Sequence, residues 1–440
     1  MPRLRILLSA PVLLAILLIP AVVISQDKDS DKRSLTIDSI LHSALEHNQA
    51  YLSQMRSVGT ASGLLNQARL LPNPQGTVQF DYAHVGRGTP NSPAGFAGSI
   101  TQPIYLAGQR SRRIALAEEI RRGTMLSFLD YERNFALRIR LASWTIIYHR
   151  KLLDFKKTFY SNYQELIRLN EIRLSKGDIS ELDYRKLLLE GAKYQKDVDE
   201  ENRDLSQIKN ELRVLAGLDD SALWEINDEF TVPDLASVLD PEDQKKIENR
   251  SDIRTARAAV DAARADLNLQ HSLAWPELGL GVIYHYEPQS YDFRANSYVG
   301  VGVTAPLKIF DRNQGNVQAS ESEVTRRQLE FDYALNSARS ELQNHRVALE
   351  TGYRILKNFE ENNKINQDVY EKFRYMYLRG ATGLVNLLDS ERSYRQIQQD
   401  YLEQLFGLIT EIELYRASIQ PLDENRLKPP EEETRSEEQE

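Results

Sequence analysis

The chain has 440 residues, is 41% apolar, carries a net charge of −9 and contains no cysteine. That length and composition allow a large core in one big domain or in two or three ordinary ones, and are not those of a disordered chain. The missing cysteines exclude disulfides, thiolate metal sites, a cysteine nucleophile and an N-terminal lipid on cysteine, and no basic field suited to nucleic acid is visible.

Residues 1–25 read as a secretory signal peptide: Arg3 and Arg5 precede an uncharged stretch from Ile6 to Ser25, with Val23 and Ser25 at cleavage-site positions. A membrane-spanning anchor competes with that reading, but Pro11 and Pro20 trim the uninterrupted apolar core to Val12–Ile19, short of the roughly 20 residues a bilayer needs. No later stretch approaches a spanning helix. A mature chain that enters a membrane must therefore do so as a closed β-barrel, which alone satisfies its backbone.

Beyond the signal peptide the chain is one plan written twice. Placing Asn48 on Arg250, Pro74 on Pro276 and Tyr82 on Tyr284 uses one offset of 202 residues, and a one-residue adjustment superposes Pro103 on Pro306 and Gly177 on Gly380. Such a repeat divides the chain into 26–217, a connecting equatorial segment 218–244, a second repeat 245–420 and an acidic tail 421–440. The order expected in each repeat is helix, Pro-marked break, two short strands, proline, very long helix, glycine turn, helix.

In the first repeat, Val78, Phe80 and Tyr82 alternate with Gln79 and Asp81, the period of a strand, and a partner strand is expected over Phe96–Gln102 after the loop Gly86–Pro93. From Gly108 to Ser175 no proline intervenes, so one helix of about 100 Å is expected. Leu152, Phe155, Phe159, Tyr163, Leu166, Leu169 and Ile172 give it a loosely heptad stripe. A returning helix is expected over Ser180–Ala216.

In the second repeat Leu278, Leu280, Val282, Tyr284 and Tyr286 alternate with Gly279, Gly281, Ile283 and His285, and the partner is expected over Tyr298–Thr304 after the loop Pro288–Asn296. The long helix, Asn313–Leu378, carries Leu335, Ala338, Leu342, His345, Leu349, Gly352, Leu356 and Phe359 at alternating spacings of three and four, the seam of a heptad coiled coil. Its return, Leu384–Ser418, bears Tyr394, Ile397, Tyr401, Leu405, Leu408, Ile412 and Tyr415 at helical spacing.

The fold class expected is thus mainly α with a small β part: long antiparallel hairpins forming a helical tunnel, plus four strands contributing to an oligomeric transmembrane barrel. Each strand has a greasy face and a small or polar one, the barrel signature. A small soluble sheet would show the same alternation; the signal peptide and the tyrosines near strand ends favour the membrane. Barrels start at about eight strands, so the chain must associate.

No catalytic constellation appears: seven scattered histidines, no HExxH, no phosphate-cradling loop and no serine elbow. The chain therefore reads as a protein that is not an enzyme, with no cofactor and no metal site. His345 is expected to be packed or tunnel-lining rather than a ligand. The competing class is a secreted coiled-coil scaffold of the envelope, which explains the heptads but neither the paired strands nor their repetition. An envelope hydrolase lacks any candidate nucleophile.

The tandem repeat, "ALEHNQAYL" and "IENRSDIRT" at the repeat starts, "QARLLPNPQ" and "SLAWPELGL" before the strands, "QPIYLAGQR" and "APLKIFDRNQGN" after them, and "RLSKGDISELD" and "YLRGATGLVNLLDSERSY" at the glycine turns resemble the TolC-type outer-membrane efflux factor family. "LLPNP" is reminiscent of its heavy-metal and cation branch. The resemblance covers nearly all of the mature chain and implies a homotrimer in the outer membrane, in contact with outer-membrane lipid, with a long periplasmic portion. It also implies a periplasmic adaptor protein and an inner-membrane efflux pump as partners, met at the hairpin tips of Gly177 and Gly380. Asp183, Asn386 and Asp389 match polar positions of the family's periplasmic gate, and Tyr377 a tyrosine that ties neighbouring hairpins closed against the first-repeat aspartate. Many relatives carry a lipidated N-terminal cysteine; this chain has none, so its anchoring must rest on the barrel.

Overall fold

The computed structural model describes residues 33–82, 94–218, 224–287 and 296–422. The expected signal peptide, the loop Gly86–Pro93, most of the loop Pro288–Asn296 and the acidic tail from residue 423 lie outside them. Among the described residues no helix is long and apolar enough to cross a membrane.

After a short strand β1 (Arg33–Leu35), Thr36 caps helix α1 (Ile37–His47) through a reciprocal pair of bonds with Ser39. Asn48 caps α2 (Gln49–Arg69) by accepting from the Tyr51 amide at 2.8 Å. Strands β2 (Gln75–Tyr82) and β3 (Ala94–Ile104) come next, then α3 (Gln109–Ser175, 67 residues) and α4 (Glu181–Ala216). Strand β4 (Trp224–Ile226) pairs in parallel with β1, and the connecting segment goes on through one-turn helices α5 (Leu235–Val238) and α6 (Asp243–Lys246). The second round comprises α7 (Ser251–Leu273), β5 (Leu278–Glu287), β6 (Asn296–Thr304), α8 (Gln314–Leu378, 65 residues) and α9 (Leu384–Ile419).

Equivalent positions do equivalent work with different chemistry. Asn48 Nδ2 donates to the Leu215 carbonyl at 2.8 Å, and Arg250 Nη1 donates to the Ser418 carbonyl at 3.3 Å. Each fastens a repeat's first helix to the end of its last. Arg250 is buried, and Asp252 and Glu341 neutralise it at 2.7 and 3.0 Å, as a buried charge requires.

The four long strands form one antiparallel sheet in the order β2, β3, β5, β6. Its register aligns Val78, Gly98, Tyr284 and Val299 in one row and Gly76, Ile100, Val282 and Val301 in the next, all on one face. Most of the large apolar members stand exposed. The opposite face aligns Thr77, Ser99, Ile283 and Gly300, then Gln79, Ala97, His285 and Tyr298, small or polar apart from Ile283 and Tyr298. Among the described residues the outer edges of β2 and β6 have no strand partner.

The helices α3 and α4 form one antiparallel hairpin and α8 and α9 the other, with α3 packed also on α2, α7 and α9. The heptad seam of α8 is buried as expected at Ala338, Leu342, Leu349 and Leu356. At Gly352 an added Cβ would come within 2.9 Å of Leu408 Cδ1, so the glycine permits close helix approach. The α3 stripe departs from the expected one at its end. Leu169 is only half-buried and Ile172 is exposed, while Asn170 is fully buried. Strict alternation of three and four from Tyr163 leads through Leu166 to Asn170 and Arg173, so the seam ends in polar residues. Leu422, assigned to the tail by composition, still belongs to the packed body: its amide donates to Asn249 O at 2.9 Å and its side chain packs on the core around α1.

Candidate functional site

The two hairpin tips converge. Each long helix ends in a Schellman motif: Gly177 and Gly380 take φ of +79° and +72°. Asp178 N reaches Arg173 O at 2.9 Å, and Ala381 N reaches Met376 O at 2.9 Å. These paired bonds satisfy carbonyls a helix end would otherwise leave open, and the left-handed angle explains the glycines. No atom lies within 4 Å of a Cβ built at either position, so both tips face open space.

A shared core of Phe159, Tyr163, Leu166, Leu187, Tyr194, Tyr377, Leu384, Leu387 and Leu388 joins the tips. Tyr377 is buried there and donates its hydroxyl hydrogen to Asn170 Oδ1 at 2.6 Å, with the Arg173 guanidinium 5.0 Å over its ring. Burial pushes its phenol up; Asp183 adds to that shift, while Arg173 and Asn170 oppose it. Asn170 in turn donates to Leu166 O at 2.8 Å.

Asp183 makes no bond to Tyr377 within the chain. Its backbone amide donates to Ser180 Oγ at 3.0 Å and its carboxylate accepts from the same hydroxyl at 2.8 Å, so it locks the first turn of α4. Asn386 holds the matching turn of α9 by donating to Thr382 Oγ1 at 3.0 Å. Asp389 is 67% exposed, with Arg392 no closer than 3.9 Å. Of the four gate positions it is the most open carboxylate.

The strongest ties between hairpins have no counterpart among the expected gate residues. Arg392 of α9 forks onto Glu190 of α4, which also accepts from Lys193 at 2.8 Å, and Arg395 donates to Asp197 at 2.8 Å. Although burial opposes it, these donors hold Glu190 below the usual carboxylate range. Beside them Glu391, 2% exposed, has an Oε2 that meets no hydrogen-bond donor. Burial is the main cause pushing its carboxyl up to about 8, and Glu190 adds to it. Sequence spacing carried a signal here, since Arg392 and Arg395 share a helix face with Asp389. Further along α8 His345 bridges Glu341 at 3.7 Å and Glu411 at 2.5 Å, which raises its pKa; it is a packed seam residue. Among the described residues no group of side chains could hold a metal ion.

An exposed greasy sheet face, two sheet edges without a strand partner among the described residues and a pair of long hairpins ending in packed tips fit a barrel and tunnel built from several copies. Residues 244–417 match the family model of outer membrane efflux proteins. The chain is 24% identical over 299 residues to the cobalt-zinc-cadmium resistance protein CzcC of Cupriavidus metallidurans, a match covering 68% of each chain. Its fold is that of CusC, at a TM-score of 0.75 and 14% identity over 89% of this chain and 93% of that one. The CmeC outer membrane channel of Campylobacter jejuni gives 0.73 at 13% identity over 92% and 89%. Over residues 244–417 the chain matches the outer membrane efflux protein family, and over most of its length it shares the fold of the solved channels. These similarities favour an outer-membrane channel of a multicomponent efflux system over a coiled-coil scaffold. Family members are trimeric channels that work with adaptor proteins and inner-membrane pumps rather than enzymes.

Proposed function

We propose that three copies of this chain close a barrel from their four strands each, and that the converging hairpin tips form the periplasmic entrance through which divalent metal cations leave, delivered by an inner-membrane pump. The kinship to a cobalt-zinc-cadmium resistance protein supports the cargo class. The observation that carries the entrance is the placement of Asp389, an exposed carboxylate on a tip where Asp183, Tyr377 and Asn386 are each engaged in hydrogen bonds. Three symmetry-related copies would crowd carboxylates at one constriction, and like charges held close favour a counter-ion. Asn386 stands one helical turn away on the same face and contributes no charge, so the ring is single. A periplasmic adaptor would dock on the outward loops at Gly177 and Gly380, the tip surfaces that face open space.

Single-channel recording in planar bilayers tests this. Divalent cations on the periplasmic side should obstruct the wild-type duct, and Asp389→Asn should relieve the block. A carboxamide variant blocked at the same cation concentration would overturn the entrance assignment. In the host, loss of the protein should abolish tolerance to cobalt, zinc and cadmium before tolerance to dyes or detergents; the reverse order would overturn the cargo class.

A further inference from the structure

The strands run into a layer where four helices stop or start: α2 ends at Arg69 and α7 at Leu273, while α3 begins at Gln109 and α8 at Gln314. Side chains knit this layer together. Gln109 Nε2 donates to the carbonyls of Ser272 and Trp275 at 3.1 and 3.0 Å, and Asn313 Nδ2 to that of Gln270 at 2.7 Å. Arg113 reaches the carbonyls of Ala68 and Leu70. Neither gating nor barrel closure calls on what this layer displays.

It displays apolar bulk in the open. Phe310 is 90% exposed and Leu307 82%, and Leu71, Trp275 and Ile309 stand out beside them. It is also basic. The segments 66–76, 103–114, 271–279 and 304–316 hold Arg69, Arg110, Arg112, Arg113, Lys308 and Arg312 against only Glu277 and Asp311, in a chain whose net charge is −9. Among the described residues no carboxylate lies within ion-pair distance of Arg110, Arg112, Arg113, Lys308 or Arg312; Arg110 and Arg112 instead donate to the carbonyls of Arg69 and Asn268, which leaves their charge uncompensated.

We propose that this junction is a collar that binds acidic phospholipids of the periplasmic leaflet, with Trp275, Leu307 and Phe310 in the acyl boundary and Arg110, Arg112, Lys308 and Arg312 on the phosphates. The collar is continuous with the apolar face of the sheet, which places it where headgroups begin. Aromatic side chains mark such interfaces, and apolar burial with charge attraction is how interfacial surfaces hold anionic lipid. A neighbouring copy is the rival occupant, but in a head-to-tail ring the β6 side of the layer, with Lys308 and Arg312, would meet the β2 side of the next copy, with Arg69 and Arg110, basic against basic, whereas an acidic headgroup complements both. This inference rests on the outer-membrane placement and is independent of cargo and gate.

The test uses the full-length oligomer in nanodiscs of phosphatidylcholine alone or with phosphatidylglycerol added. The thermal midpoint should be a few degrees higher with the acidic lipid, and high salt should erase the gain. Lys308→Gln with Arg312→Gln, side chains that hold no structural bond here, should shrink the gain, and adding Arg110→Gln and Arg112→Gln should abolish it. Arg110→Lys, which keeps the charge, should retain it. Equal midpoints in the two lipids, or a gain untouched by the fourfold variant, would overturn the proposal. So would an equal gain from inorganic phosphate in detergent, which would show a free-anion site, or a collapse of the oligomer in detergent on Leu307→Ser with Phe310→Ser while the lipid gain persists, which would show a face between copies. Unchanged conductance in planar bilayers in each case would leave the channel function standing.

Discussion

At Gly380 the backbone angle of +72° and the empty space around the missing Cβ separate two effects that a substitution usually mixes. A Cβ at Gly380 meets no neighbouring atom, so the main cost of Gly380→Val is the left-handed backbone, about 1 kcal/mol or more. Export should fall while the assembled oligomer survives; an exporting variant would show that the turn is neither strained nor used for docking. Tyr377 presents the opposite case, a buried group held by one bond. Tyr377→Phe leaves Asn170 Oδ1 without its donor in a fully buried place, an omission that costs about 1–3 kcal/mol. The small resting conductance in planar bilayers should rise, and Asn170→Ala should do the same; a wild-type conductance in both would remove the pair from the closed state. The two glycines were legible in the sequence because a positive angle leaves a mark in residue type. Asn170 was not, because an asparagine on a helix reads as surface until its register with Tyr163 and Leu166 is followed strictly. Asp183 and Asn386 were legible as polar tip residues, but their bonds to Ser180 and Thr382 depend on where each helix begins, which composition leaves open by a residue or two.

Between elements, the contact of α4 with α9 turns on Glu391. Tyr163 of α3, Glu190 and Tyr194 of α4, Tyr370 and Arg374 of α8, and Arg392 and Arg395 of α9 surround it. Its carboxyl is ordinarily at 4.5 and is pushed up to about 8 by burial, so the folded state binds the proton more tightly than the unfolded one. The stability this supplies is complete below about 4.5 and is lost as pH rises to about 8. His345, also raised, acts in the same direction, so the diagnostic quantity is a difference between proteins. The thermal midpoint of the wild type should fall between acidic and mildly alkaline pH, and Glu391→Gln should flatten that fall and be the more stable protein at the alkaline end. Parallel curves for the two would show that Glu391 is ionised throughout. The long helices themselves were read to within a residue or two, since heptad stripes inside more than sixty residues without a proline admit no other element. Their polar cross-ties were not, because a buried Glu391 and a solvated glutamate look alike until four helices are brought together.

For the whole molecule, the open edges of β2 and β6 decide how copies must meet. Lipid offers no partner to unpaired amides and carbonyls, and the sheet of one chain cannot close on itself because four strands are too few, barrels starting at about eight. Each β2 is therefore expected to pair with the β6 of a neighbour. The absence of cysteine makes this directly measurable. Within a chain, three inter-strand steps of about 4.8 Å put β2 roughly 14 Å from β6, beyond the about 7 Å between Cα atoms that a disulfide spans. A cysteine at Gln79 combined in turn with one at Tyr298, Gly300 or Gly302 places both on the polar face. Any bond that forms must join two copies. One register should oxidise efficiently and yield a covalent trimer on denaturing gels, while the variants displaced along β6 should remain monomers. Cross-linking stalled at dimers, or absent from every register while the protein still conducts, would require the edges to be satisfied in some way other than ring closure of three copies.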